Sequence, residues 1–297
     1  MDLGSLTVRG SVAERLAPGR FRVLYHRREI TSLGEGLAQT GRLSQEAMGR
    51  TLTAVADLVS EMQAFGLARC QGVATQAVRQ AANRKEFLQA LRQKVPLPVR
   101  LLSPAEEAKL TLMGVLSALK PEFLQGHGVL VFDLGGGSSE FVWLPPGETP
   151  VFAGLPLGVL TLSQSRPLGD PPRPEAVATL RQEVDKQLQR FFQDNFAACL
   201  EGPIHLVGTA GAVTTLAAMS LKMTKYEAAR INNQILTHSQ VAALAQQLAG
   251  LTVAERARLP GLEPGKAQVM VAGALIVLAI LKAAHQNLLV VIYSGLL

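Results

Sequence analysis

Residues 128–144 read GVLVFDLGGGSSEFVWL: an apolar run, one aspartate, three consecutive glycines, two serines, a glutamate and a second apolar-rich run. Three adjacent glycines weaken any strand or helix they occupy. They therefore predict a turn, and the flanking runs become the arms of a hairpin, with strands over 129–133 and 138–144. Pro145-Pro146-Gly147 ends the second arm, and 150–153 returns as another strand. Residues near the two strand ends face each other across such a turn, so Asp133 and Glu140 flank one mouth. Gly135, Gly136 and Gly137 let the backbone approach a ligand closely, with N–H groups aimed at anionic oxygens. Ser138 and Ser139 add hydroxyl donors. Two carboxylates repel a bare phosphate, which calls for a hard cation such as Mg²⁺ between them. The plain alternative is a glycine-rich hairpin with solvated polar ends.

The remainder alternates strand and helix patterns. A strand with its exit turn is expected over 21–33. A helix over 44–65 carries Met48, Leu52, Val55, Val59 and Met62 at helical spacing. A short strand follows over 69–75. Asn83 with Glu86 three residues on reads as a capping box, and 99–102 as a short strand. Ser103-Pro104-Ala105-Glu106 is a strong helix start: a serine cap, proline at the first helical position and glutamate at the third. That helix is expected to reach about residue 119. Pro121, Gly126 and Gly128 mark a break over 120–128, where a domain boundary is placed. Further on come a proline-rich loop over 166–174, a helix over 174–192, and a strand over 204–207 running into Gly208-Thr209-Ala210-Gly211 and a helix to about 220. Helices over 239–248 and 265–281 and a last strand over 288–293 complete the chain. This alternation predicts an α/β fold. Asp2-Leu3-Gly4-Ser5 echoes Asp133-Leu134-Gly135, so each half opens on the same signal, suggesting a duplicated architecture.

A chain of 297 residues suffices for two domains. With 48% hydrophobic and 18% charged residues it can build sizeable cores and is not a disordered chain. The longest apolar run, 269–281, is interrupted only by Gly273 and is too short to span a bilayer, so a buried helix is expected. The opening MDLGSLTVRG has no apolar signal-peptide core. Cys70 and Cys199 show neither disulfide nor zinc spacing, which fits a reducing cytoplasm. A net charge of +6 suits an anionic partner, and equally simple solubility. Basic residues are scattered and aromatics few, which argues against a nucleic-acid platform. His26, His127, His205, His238 and His285 have no ligand spacing and read as structural or surface residues.

Three further features carry chemistry. Gly208-Thr209-Ala210-Gly211 joins a strand to a helix N-terminus, a ready anion site or simply a tight turn. Glu106 is occupied by the cap, whereas Glu107 is not needed for it. Glu107 stands in the first turn, where it either orients or deprotonates a water or is merely solvated. Arg79 is a fixed fork suited to phosphate oxygens, or a surface arginine.

These segments resemble the exopolyphosphatase / guanosine pentaphosphate phosphohydrolase family of the sugar kinase–Hsp70–actin superfamily. Residues 133–140, Asp-Leu-Gly-Gly-Gly-Ser-Ser-Glu, resemble its second phosphate motif, and Asp2-Leu3-Gly4-Ser5 its first. Residues 73–81, 103–110, 208–211 and 259–262 resemble its arginine, Glu-Glu-Ala-Arg, later glycine-loop and Pro-Gly-Leu segments. The resemblance implies two actin-like (ribonuclease H-like) domains, 1–122 and 123–283, with residues 284–297 packing on the first and an active site in the interdomain cleft. It implies Glu107 as the base that activates water. Asp133, Glu140 and Asp2 would hold Mg²⁺ or another divalent cation. Gly4, Ser5, Arg79, Gly135, Gly136, Gly137, Ser138, Ser139, Gly208, Thr209, Ala210 and Gly211 would hold phosphates. The implied reaction is release of terminal phosphate from polyphosphate, guanosine pentaphosphate or both, in the cytoplasm, with no nucleic-acid or membrane partner, in a chain compatible with a homodimer.

The chain departs from the family pattern at several points. Leu6 stands where asparagine is expected, Lys109 where arginine is usual, Gln268 where aspartate is common, and Tyr293 lies within a replaced Ser-Asp motif. The first motif begins at the very start of the chain, which suggests a shortened or misassigned start. The alternatives are a polyphosphate- or alarmone-binding protein with weakened turnover, and an ATP-using kinase of the same superfamily. Glu107 and the missing sugar-binding signature count against the kinase.

Overall fold

The structure is a computed structural model that describes residues 1–17, 20–197 and 201–295; Cys199 lies outside the described residues. The chain divides into two compact units between Glu107 and Ala108.

The first unit contains β1 (Asp2–Leu3), β2 (Thr7–Ala17), β3 (Arg20–Ile30), α1 (Leu37–Thr40), α2 (Gln45–Gln63), β4 (Gly72–Ala74), α3 (Gln76–Gln80), α4 (Arg84–Lys94) and β5 (Val99–Leu101). Its sheet has the order β3-β2-β1-β4-β5, antiparallel from β3 to β1 and parallel from β1 to β5. The apolar stripe of α2 buries Met48, Val55, Leu58, Val59 and Met62. These residues share one core with Leu3, Val8, Val12, Val78 and Phe87. The β2 strand was not expected. It alternates Val8, Gly10 and Val12 toward this core with Arg9 and Ser11 on the other face. Ser44 caps α2 by accepting from Ala47 N–H at 3.1 Å. Asn83, expected to cap α4, instead exchanges two hydrogen bonds with the backbone of Leu43, at 2.9 and 3.0 Å. It thereby staples the start of α4 to the loop before α2.

α5 (Pro104–Ala118) runs across the division. The second unit then holds β6 (Gly128–Leu134), β7 (Ser139–Leu144), β8 (Val151–Leu155), α6 (Val159–Ser165), α7 (Pro174–Phe196), β9 (Ile204–Thr209), α8 (Ala210–Ser220), α9 (Ala228–Ile231), β10 (Gln234–Thr237), α10 (His238–Ala249), α11 (Val253–Arg256), α12 (Met270–Ala283) and β11 (Leu288–Val291). Its sheet has the order β10-β11-β9-β6-β7-β8. β9 is parallel to both β6 and β11, and the other pairs are antiparallel. Phe141 of β7 meets Phe191, Phe192 and Phe196 of α7 with ring centroids 5.0–6.2 Å apart. α12 is buried except at Lys282. No helix among the described residues is long and apolar enough to cross a membrane.

Two boundary expectations differ from the structure. The division falls inside α5, not in the break over 120–128, because Ala108, Leu112 and Val115 pack with Val129, Val131 and Val207 of the second sheet. The closing segment, expected to pack on the first domain, places β11 between β9 and β10 of the second unit. There Val290 pairs with Val207 and completes an apolar sheet.

Candidate active site

The two units open on the same miniature structure. In the second, Gly135 N–H donates to Ser138 O at 2.9 Å; in the first, Gly4 N–H donates to Thr7 O at 3.0 Å. A Cβ would come within 3.0 Å of that carbonyl at Gly135 and 2.9 Å at Gly4, so both turns are held to glycine. The aspartate of each Asp-Leu-Gly pairs seven positions on: Asp133 with Glu140, and Asp2 with Arg9. The duplicated hairpins thus differ in charge. One sets carboxylate against carboxylate, the other carboxylate against guanidinium. Sequence reasoning did not single out Arg9; the seven-residue echo was the signal that could have found it.

Asp133 also pairs with Thr209 on β9, so Glu140, Asp133 and Thr209 form one row across β7, β6 and β9. This row brings together the two expected carboxylates and the 208–211 turn. Thr111 of α5 donates to Asp133 Oδ2 at 3.4 Å, and Ser138 Oγ donates to Glu140 Oε1. Glu140 is buried. Among the described residues there is no group of three or more His, Cys, Asp or Glu side chains that could hold a metal ion. The Asp133–Glu140 pair stands as two hard oxygen donors. That suits Mg²⁺, which takes one or two carboxylates and completes its octahedron with waters and substrate phosphates.

Three expected hydroxyl donors are engaged inside the chain. Ser138 holds Glu140, Ser139 donates to Leu157 O at 2.6 Å, and Thr209 donates to Ser294 O at 3.1 Å. Alternation along β7 turns Ser139 inward, where it is fully buried. The backbone is what remains. Among the described residues, Gly136 N–H and Gly137 N–H make no hydrogen bond within the chain, while Gly135 O and Gly136 O accept from Val159, Leu160 and Thr161 at the start of α6. The loop is therefore fastened by its carbonyls with its amides turned away and left to an outside acceptor. Gly158 lies directly on this loop: a Cβ there would sit 2.4 Å from the Gly137 backbone.

In the 208–211 turn, Ala210 adopts a φ of 73°, a left-handed conformation that costs a non-glycine residue energy. Thr209 gives α8 no side-chain cap. The residues that replace the family's Ser-Asp motif lie close by: a Cβ on Gly295 would be 3.3 Å from Thr209 Oγ1 and 3.8 Å from Asp133 Oδ2. Tyr293 pairs with Tyr226 at 5.7 Å between ring centroids. Gln268 lines a cavity of about 420 Å³ with Arg166, Asp170 and Arg256.

In the first unit, Arg79 and Glu107 meet: Arg79 Nη1 donates to Glu107 Oε2 at 3.2 Å and to Leu102 O at 2.9 Å. Neither was expected to hold the other. The pair is largely buried and orients the Glu107 carboxylate. Ser5 is also buried, its carbonyl accepting from Gly34 N–H at 2.8 Å. Asp2 is buried on β1 beside Arg9.

The capping box below Glu107 forms as expected. Ser103 N–H and Oγ donate to Glu106 Oε2 at 2.9 and 2.8 Å, and Arg100 adds an ion pair. The Ser103 backbone bond first, then its hydroxyl and Arg100, pull the Glu106 carboxyl down to about 2. A depressed carboxyl contributes its stability above its unfolded value and loses it as pH falls toward about 2. Ser103→Ala removes the hydroxyl but keeps the backbone N–H, so it is expected to move the Glu106 titration, followed by carboxyl NMR, only part of the way back toward an ordinary glutamate; an unmoved titration would leave the shift to the backbone N–H and Arg100.

The histidines, far apart in sequence, include one spatial pair: His127, just before β6, and His205 of the neighbouring parallel strand β9 lie 4.7 Å apart between ring centroids. Burial first, then His127, lowers the His205 value.

Comparison with known proteins gives a consistent picture. A family model described as the Ppx/GppA phosphatase family matches residues 11–296. Exopolyphosphatase 2 of Mycobacterium tuberculosis is 32% identical over 287 residues, covering 93% of this chain and 87% of that protein. Exopolyphosphatase 1 of Mycobacterium leprae is 26% identical over 95% of this chain and 82% of its own length. A solved structure of the Aquifex aeolicus PPX-GPPA enzyme has a TM-score of 0.78 at 29% identity, covering 99% of this chain and 95% of that one. The exopolyphosphatase structure from Cytophaga hutchinsonii, at 22% identity and a TM-score of 0.84, shares the fold. The two-unit α/β architecture is the actin-like one expected from the sequence.

Proposed function

Because this chain belongs to the Ppx/GppA phosphatase family, we propose that it hydrolyses the terminal phosphoanhydride of inorganic polyphosphate, and that guanosine pentaphosphate is the second substrate to test. The observation that carries this reading is the pair of inward-fastened, outward-facing amides at Gly136 and Gly137, beside the paired carboxylates Asp133 and Glu140. Amides of this kind hold phosphoryl oxygens whose charge grows in the transition state. Asp133 and Glu140 would hold a divalent cation, which when bound neutralises phosphate charge. Glu107, oriented by Arg79, accepts the proton of the attacking water. The P–O bond to the leaving chain breaks as the water oxygen bonds to phosphorus, and inorganic phosphate leaves. Catalysis is mostly positioning and electrostatics.

A binding protein with weakened turnover is the second reading, favoured by the internal engagement of Ser138, Ser139 and Thr209. One assay separates the two: phosphate release from long-chain polyphosphate and from guanosine pentaphosphate, with and without Mg²⁺. Cation-dependent release that Asp133→Asn abolishes is the expected result. Tight polyphosphate binding with no release would establish the binding protein instead.

A further inference from the structure

Lys266 ends the one-turn helix Pro264–Lys266 that precedes α12, and it is 1% exposed. A full charge at that depth is held only by good partners. Its Nζ lies 2.6 Å from Glu263 Oε2, 3.3 Å from Thr215 Oγ1 and 3.5 Å from Gly211 O. Glu263, in contrast, keeps about a third of its side chain in solvent. The lysine is the more buried member of the pair, although the Glu263 Oε2 that faces it is buried as well, and two of these three contacts belong to α8. Thr215 Oγ1 also donates to Gly211 O at 2.6 Å, so one carbonyl receives a hydroxyl and an ammonium together. A Cβ on Gly211 would lie 3.4 Å from the same Nζ.

The peptide group is planar and trans, so its C=O and N–H point in opposite directions. Drawing Gly211 O down toward Lys266 and Thr215 aims the Ala212 N–H out of the start of α8. The turn above it is strained at Ala210, and strain of this kind persists only where surrounding contacts over-determine it. We propose that Lys266 is a positioning residue for phosphate binding by the 208–211 turn. Its ammonium fixes the Gly211–Ala212 peptide and turns the positive end of the Lys266–Glu263 pair toward the first turn of α8, where an anion gains from both. The proposal rests on the phosphohydrolase reading for its substrate, and on the geometry of this unit for everything else.

The test uses the full chain with Lys266→Met, Lys266→Arg, and Lys266→Met combined with Glu263→Gln. Methionine keeps the volume and removes the charge. The double variant also removes the carboxylate left without its ammonium, which restores folding if the single variant is unstable. Lys266→Met is expected to raise KM for polyphosphate about tenfold with kcat changed less than about threefold, as the Ala212 N–H that Lys266 positions loses its aim at a bound anion. Lys266→Arg should stay within about threefold of wild type, because the charge is retained. The decisive arm is the double variant: KM still raised with melting temperature recovered supports the proposal. A KM that returns to wild type along with the melting temperature makes Lys266 purely structural and overturns it. Inorganic tripolyphosphate binding, followed by calorimetry, separates the two readings. If the wild type releases no phosphate but binds tripolyphosphate about tenfold tighter than Lys266→Met, the phosphohydrolase reading falls and Lys266 stands. If release is normal and Lys266→Met matches wild type in KM and binding, Lys266 falls alone. If the wild type neither releases phosphate nor binds tripolyphosphate, both fall.

Discussion

Glu107→Gln is expected to lower kcat for phosphate release by about 10²–10⁴-fold, the range general-base catalysis contributes, with KM little changed. The amide keeps the shape and can still accept from Arg79, whose second bond to Leu102 O is independent of residue 107. The expected stability cost is therefore small, about 1 kcal/mol. Loss of rate without loss of fold is the signature, read by phosphate release alongside a thermal melt. Residual kcat within about tenfold of wild type would remove Glu107 from the proton transfer. The hairpin amides and its carboxylates would then supply most of the rate enhancement.

Gly158→Ala is the second large effect. A Cβ at this position meets Gly137 N and C at 2.4 Å and Gly136 C at 2.5 Å. These are backbone atoms, so no side-chain rotation relieves the overlap. The loop is also pinned from the same side by Val159, Leu160 and Thr161, whose N–H groups hold Gly135 O and Gly136 O. Relief must come from moving the loop relative to α6, at a cost of about 1–3 kcal/mol. That displaces the amides from the phosphoryl group, and displacements near 1 Å cost on the order of 10²-fold in rate. Gly154→Ala is the control, since a Cβ there meets nothing within 4 Å. If both variants retain wild-type kcat, the 136–137 amides are not the phosphate cradle.

What was legible in the sequence was what is local. The hairpin register follows from the number of residues in its turn, so Asp133 could be set against Glu140 from the sequence alone. The Ser103–Glu106 box is complete within four residues. Side-chain direction was less legible. Ser139 and Thr209 fit a phosphate loop by type, but strand alternation and the 293–295 segment give their hydroxyls internal partners. The Asn83–Glu86 box failed because Leu43, forty residues earlier, offers Asn83 two backbone bonds against the single one of a cap. Lys266 was invisible because its partner Thr215 lies 51 residues away. The β2 strand was obscured because its outward face is polar, and its apolar face shows only once α2 covers it.

The burial of α12 on nearly every side bears on how long the site persists. The amide protons of its middle are expected to exchange only through large openings of the second unit, since the residues on all its sides are buried. Gly273 lets α12 approach α8 so closely that a Cβ there would lie 3.1 Å from Ala212 Cβ, in the first turn of α8. The strained turn at Ala210 is thereby mounted against a buried helix. Its ready shape is expected to last as long as the packing of the second unit does, which is longer than a surface loop holds one shape.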